Sequence, residues 1–249
     1  MTEGGQSPPG WAPVEGVIAD LDGVVYRGEA AIPHAAEAIR LWRRRSIQFR
    51  FVTNNSTRSA EDIAAKLRGF GIPVTVKQIV TSTGATVQYM LRRWRVGTPV
   101  HAIGSASLRS EIEAGGFTLV ERDARVVVVG LDREITYAKL RTAVRAILAG
   151  ATLIGTNPDL LLPVEDGFDP GAGALITAVA TAARVSPVII GKPETHMIEF
   201  ALTDLGTRRD AQVAHARALV ERGESPRAIA RTMRVGKSTL YRALKDAGS

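Results

Sequence analysis

Three observations predict an α/β protein with a parallel sheet, an inserted α/β unit and a small all-α segment at its end. Short apolar runs alternate with stretches of helical periodicity from residue 16 to residue 205. Several of these runs close in polar or charged residues. From residue 208 the strand-like runs stop and a basic, helical pattern takes over.

The elements follow in order. Residues 1–13 are rich in Gly and Pro and read as a flexible leader, without the basic start and apolar core of a signal peptide. Residues 16–22 (GVIADLD) are a β-branched apolar run ending in carboxylates, 35–45 have a helical period, and 48–53 (QFRFVT) are a second strand. Strand, helix, strand implies a right-handed parallel unit. In such sheets the chemistry lies beyond the carboxyl ends of the strands. A helix over 60–70 comes next. Strands at 100–103, 125–129 and 152–154, with helices at 108–114 and 137–149 between them, make a second α/β unit. A strand at 187–190 leads into Gly191-Lys192-Pro193, and a helix over 195–205 stops at Gly206. The pattern thus reads as one α/β unit, a second ending near residue 186, and a terminal segment over 208–249.

The 249 residues, 45% of them apolar, suffice for a buried core, and the absence of cysteine excludes thiolate nucleophiles, disulfides and iron–sulfur clusters. The longest weakly polar stretch, 171–183, is too short to span a bilayer. A soluble, cytoplasmic protein with no membrane partner is expected. Residues 208–249 hold ten basic and four acidic side chains, which is +6 of the net +7, so the remainder is nearly neutral. The two parts should meet different partners.

Asp20 and Asp22 lie two residues apart just past an apolar strand. One such carboxylate can attack phosphorus to give an acyl phosphate while the other passes a proton to the leaving oxygen. A dianionic phosphate repels this nucleophile, so a divalent cation is needed, and hard oxygen ligands suit Mg2+. Taken alone, DxDG is as often a solvated turn. Thr53-Asn54-Asn55-Ser56 follows the second strand, where a hydroxyl and amides could bind phosphate oxygens; an ordinary capping turn has the same composition. Lys192, after a third strand, could offset charge on nucleophile and phosphate, or be a surface lysine.

These three clusters, in this order, resemble the haloacid dehalogenase (HAD) superfamily, and more closely its p-nitrophenyl phosphatase-like branch (subclass IIA). The resemblance spans roughly 14–206 and includes DLDGVVYRG, FVTNNS, GLDREITYAKL, GTNPDLLLP, PGAGAL and GKPE. It implies a HAD-like Rossmannoid core over 14–81 and 188–207 with a cap inserted over 82–187. It also implies a phosphoric monoester hydrolase acting on a small phosphorylated metabolite through an aspartyl-phosphate. Asp20 would be the nucleophile, Asp22 the general acid/base, Asp20 and Asp22 the Mg2+ ligands, Thr53 and Asn54 the phosphate-binding groups, and Lys192 the charge-balancing residue. Asn157 and Asp159 in the cap would face the substrate's organic part, although Asn-Pro is also a plain turn.

The family's fourth motif, a GDxxxTD-like acidic loop, does not follow Lys192; Asp204 and Asp210 are the nearest carboxylates and match it in neither wording nor placement. Weak Mg2+ binding and impaired or lost turnover are expected, with one edge of the sheet left open. In place of that motif, 210–244 resembles the DNA-binding domain of serine resolvases and invertases, with helices at 210–222, 225–233 and 237–244 forming a helix-turn-helix. Ser238, Tyr241 and Arg242 would lie on the face entering the major groove, with Lys237 on phosphates. The alternative function is therefore a DNA-binding protein whose HAD-like part senses a phosphate ligand or is a remnant. A single helix-turn-helix makes few base contacts, so a homodimer would be required for specificity.

Overall fold

The chain opens with β1 (Gly16–Asp20), and the computed structural model describes residues 14, 16–164 and 166–205. β1 stops at Asp20 rather than at residue 22. Gly23 has φ +79°, a conformation that side chains with a Cβ disfavour, and its N–H donates to the Tyr26 carbonyl at 2.8 Å. The chain is thereby turned back, and Asp22 bridges Tyr26 instead of extending the strand. A short hairpin, β2 (Tyr26–Arg27) with β3 (Ala30–Ala31), follows this turn and has no clear sequence signal.

α1 (Ala35–Arg44) then leads to β4 (Gln48–Thr53), as the periodicity predicts. α2 (Ala60–Gly69) begins with a reciprocal cap: the Ser59 hydroxyl accepts from the Asp62 N–H at 3.1 Å, and the Asp62 carboxylate accepts from the Ser59 N–H at 3.2 Å. Lys66 on this helix donates to the Gly28 carbonyl at 2.6 Å and sits 4.4 Å from the centre of the buried Tyr26 ring. The hairpin is thus pinned to α2. β5 (Ile79–Thr81) and α3 (Ser82–Leu91) complete the first layer.

The second α/β unit comprises β6 (Pro99–Ile103), α4 (Ala106–Ala114), β7 (Thr118–Leu119), β8 (Val126–Val129), α5 (Tyr137–Leu148) and β9 (Thr152–Gly155). An antiparallel hairpin, β10 (Leu161–Val164) with β11 (Gly167–Pro170), precedes α6 (Ala172–Ala183), β12 (Val188–Ile189) and α7 (His196–Asp204). α6 is the weakly polar stretch considered above as a membrane span, and among the described residues no helix is long and apolar enough to cross one.

Among the described residues the first sheet has order β1-β4-β5 and the second β12-β9-β8-β6-β7, with every pair parallel. β1 is paired on one side only within this set. The strand expected at 187–190 does form, but Val188 pairs with Ile154 and Ile189 with Gly155, so it borders the second sheet and not the first. The four valines of β8 are fully buried, the continuous apolar run of a strand covered on both faces.

Three apolar clusters organise the packing. One joins β1, β4 and β5 to α1 and α2 through Leu21, Ile39, Phe51, Ile63 and Leu67. A second lies under α5 and α6. The third, including Val52, Val80, Met90, Val128, Ile154, Ile190 and Met197, draws on both sheets. Both sheets are therefore tied to a shared body of buried side chains, which fixes their carboxyl ends relative to one another.

Residues 1–201 form one compact unit, and 202–249 a second of which 202–205 are described. The expected tail helices, with Lys237, Ser238, Tyr241 and Arg242, and the leader over 1–13 lie outside the described residues.

Candidate active site

Register explains why the first two polar clusters meet. Asp20 pairs with Val52 across β1 and β4, so the last residue of β1 is one position short of Thr53 at the end of β4. Side chains from both strands consequently emerge at one edge.

Lys192 Nζ lies 2.6 Å from Asp20 Oδ1, which also accepts the Leu21 N–H at 2.8 Å. Asp20 is 41% exposed and Lys192 26%, so the pair is reachable from solvent. The Thr53 hydroxyl makes a long contact, 3.4 Å, to Asp22 Oδ2 and accepts the Asn55 N–H at 3.1 Å. Residues separated by 172 positions in the sequence thus share one cluster.

The two aspartates have different environments. Burial is the main reason that Asp22 holds its proton more tightly than an ordinary aspartate, and the Asp20 charge adds to it. The Tyr26 phenol beside it is likewise pushed upward, chiefly by burial. A carboxyl with raised proton affinity next to a partly exposed carboxylate has the bias that proton donation to a leaving group calls for.

The remaining predicted residues are brought to the same place but are differently engaged. Asn54 donates through Nδ2 to Asp159 Oδ2 and to the Lys192 carbonyl, both at 3.0 Å, and accepts the Lys192 N–H on Oδ1 at 2.8 Å. Asn157, 5% exposed, donates to the Asn54 carbonyl at 2.8 Å and accepts the Asp159 N–H at 3.1 Å. Its amide therefore braces the loop after β4. Ser82, at the start of α3, also donates to the Asn54 carbonyl, at 2.9 Å.

Sequence reasoning missed Ser82 and Gly191. A Cβ at Gly191 would stand 2.7 Å from each of Asn54 Oδ1, the Asn157 Cβ and the Thr156 carbonyl. A glycine immediately before a functional lysine is the signal that could have shown this close approach. Ser82 carries no such signal.

Asp20 and Asp22 offer hard oxygens of the kind that hold Mg2+, a cation commonly bound through one or two carboxylates plus substrate phosphate and waters. The Asp20 carboxylate is partly exposed and its charge contributes to raising the Asp22 pKa, so a cation held at Asp20 would lessen that repulsion. The donor set fits Mg2+, although among the described residues no group of three acidic or imidazole side chains forms.

Residues 17–118 match the family described as haloacid dehalogenase-like hydrolase. A 5'-nucleotidase of Bacillus subtilis is 40% identical over 193 residues, covering 78% of this chain and 75% of the relative. An acid sugar phosphatase of Staphylococcus saprophyticus is 38% identical over 193 residues, covering 77% of this chain and 74% of its own. Among solved structures, a p-nitrophenyl phosphatase from Archaeoglobus fulgidus superposes with a TM-score of 0.75 at 34% identity, covering 78% and 75% of the two chains. A glycerol phosphate phosphatase from Mycobacterium tuberculosis, solved with magnesium, gives 0.71 at 32% identity over 76% of this chain and 57% of that one. With residues of all three motifs gathered in one cluster and these likenesses across most of its length, the chain belongs to the p-nitrophenyl phosphatase-like (subclass IIA) hydrolases of the haloacid dehalogenase superfamily.

Proposed function

We propose that the protein hydrolyses small-molecule phosphate monoesters through an aspartyl-phosphate on Asp20. The observation carrying this reading is the 2.6 Å contact between Lys192 Nζ and Asp20 Oδ1, beside a second carboxyl whose proton affinity burial raises. Asp20 Oδ1 is held by Lys192 and the Leu21 N–H, leaving Oδ2 to attack phosphorus. The P–O bond to the leaving group breaks as Asp22 gives that oxygen its proton. Asp22, then anionic, takes a proton from the water that hydrolyses the acyl phosphate. Thr53 supplies a hydroxyl to the phosphoryl oxygens, and Lys192 offsets negative charge on nucleophile and phosphate.

Asp20 through its carboxylate and Asp22 through its backbone carbonyl would hold Mg2+, which when bound neutralises charge on the phosphoryl group. The family's acidic fourth motif does not follow Lys192 in this sequence. Weak Mg2+ binding and slow turnover are therefore part of the proposal. The second sheet and its helices, spanning 82–187 and extended by β12, would act as the cap that excludes water from the site.

The test is phosphate release from p-nitrophenyl phosphate by the full chain with and without Mg2+. The expected result is Mg2+-dependent release that falls at least about 10³-fold in Asp20→Asn. Release that survives Asp20→Asn would defeat the aspartyl-phosphate reading.

A second reading is favoured by one sequence observation, the +6 charge of residues 208–249. We propose that this segment binds duplex DNA. Affinity measured at rising salt should fall steeply, and differ between operator-like sequences in a way that Arg242→Ala reduces. A salt-insensitive or undetectable association rules this out.

A further inference from the structure

We propose that Asn54 is a positioning residue that clamps the main chain of Lys192, with Asp159 fixing the clamp's orientation, and that its side chain is not a phosphate ligand. The proposal rests on the phosphatase reading above and changes the role of one residue within it.

A primary amide has two N–H donors and a carbonyl acceptor. In Asn54 both kinds of group are engaged. Oδ1 accepts the Lys192 N–H at 2.8 Å, and Nδ2 donates to the Lys192 carbonyl and to Asp159 Oδ2, each at 3.0 Å. Binding a phosphate oxygen requires a donor, and the Nδ2 hydrogens are already directed at two acceptors. Turning the amide over would set N–H against N–H and oxygen against a carbonyl and a carboxylate. The Asp159 carboxylate therefore enforces the only orientation that grips both the N–H and the carbonyl of Lys192.

The grip matters because lysine is a long, freely rotating side chain. Its ammonium reaches Asp20 Oδ1 at 2.6 Å only if its root is fixed. Gly191 makes the clamp possible, since a Cβ there would stand 2.7 Å from Asn54 Oδ1. The clamp is itself anchored: the Asn54 carbonyl accepts from Ser82 Oγ at 2.9 Å and Asn157 Nδ2 at 2.8 Å. Asp159 belongs to the loop between β9 and β10, so the second α/β unit contributes directly to aiming the lysine.

The experiment compares Asn54→Ala, Thr53→Ala, Asn54→Asp and the double variant Asn54→Asp with Asp159→Asn in the full chain. The readouts are kcat and KM for p-nitrophenyl phosphate, the inhibition constant of inorganic phosphate, and hydrogen exchange at the Lys192 amide. Asn54→Ala should lower kcat by roughly 10²-fold, the cost of a misplaced catalytic group. Its phosphate inhibition constant should rise far less than kcat falls, and less than in Thr53→Ala, while Lys192 exchange quickens. Thr53→Ala should weaken phosphate inhibition instead. Asn54→Asp keeps the acceptor for the Lys192 N–H but sets oxygen against both the Lys192 carbonyl and the Asp159 carboxylate; adding Asp159→Asn removes the second clash only and should recover part of the lost kcat, about tenfold. A phosphate inhibition constant that rises in step with the loss of kcat, unchanged Lys192 exchange, or no recovery in the double variant would each overturn the clamp. If the parent chain shows no turnover, the phosphatase reading fails, and Lys192 exchange still decides the clamp.

Discussion

Asp20 and Asp22 are the same residue type two positions apart, yet their surroundings give them separate tasks. Asp20 is partly exposed and ion-paired with Lys192, whereas burial raises the proton affinity of Asp22. The proposed mechanism requires Asp22 to be protonated when the leaving oxygen departs, and its raised pKa widens the pH range of that form upward. kcat should then fall as pH rises through that raised value. Nitrophenolate is a stable anion that leaves without a proton, whereas an alkoxide is not. Asp22→Asn should therefore cost an alkyl phosphate about 10²-fold or more in kcat and p-nitrophenyl phosphate clearly less. Equal losses on both substrates would show that Asp22 does not act as the acid. Glu111, on α4, gives a second titration. Burial alone raises its pKa. The folded state thus binds its proton more tightly than the unfolded chain, and the stability this confers is lost as pH climbs from the ordinary glutamate range through the raised value. Glu111→Gln should flatten the dependence of Tm on pH over that window, measured by thermal unfolding.

At the scale of elements, the turns and caps set where the chemistry stands. Gly191 lies between β12 and Lys192 and is packed against Asn54, Asn157 and Thr156. Gly191→Ala should destabilise the fold by about 1–3 kcal/mol through overpacking and reduce turnover more than its stability loss explains. Denaturant unfolding and kcat on the same samples check both. The Ser59–Asp62 cap of α2 is an exposed structural device away from the reacting groups. Ser59→Ala should cost about 1 kcal/mol in unfolding free energy. The helix also carries Lys66, whose contacts to Gly28, Glu29 and the Tyr26 ring hold the hairpin after Asp22. No local pattern reveals Lys66, because its partners lie 37 to 40 positions away in the sequence.

At the scale of the molecule, the two sheets contribute to one apolar cluster, so residues of the second unit reach the site as a rigid part of it. Removing Mg2+ with EDTA should abolish phosphate release, and restoring the cation should return it, as followed by the nitrophenolate produced. Whereas the roles proposed for Asp20, Asp22, Thr53 and Lys192 come from the family resemblance, the two strands that lead to the aspartate pair and to Thr53, and the helix between them, were legible from residue types and order. This is because strand periodicity and carboxylate spacing are local properties of the chain. Assigning β12 to the second sheet, ending β1 at Asp20 and engaging Asn54, Asn157 and Asp159 with one another required the tertiary structure. Pairing register and hydrogen-bond saturation depend on partners far away in sequence, and an amide shows which of its groups remain available only when every neighbour is in place.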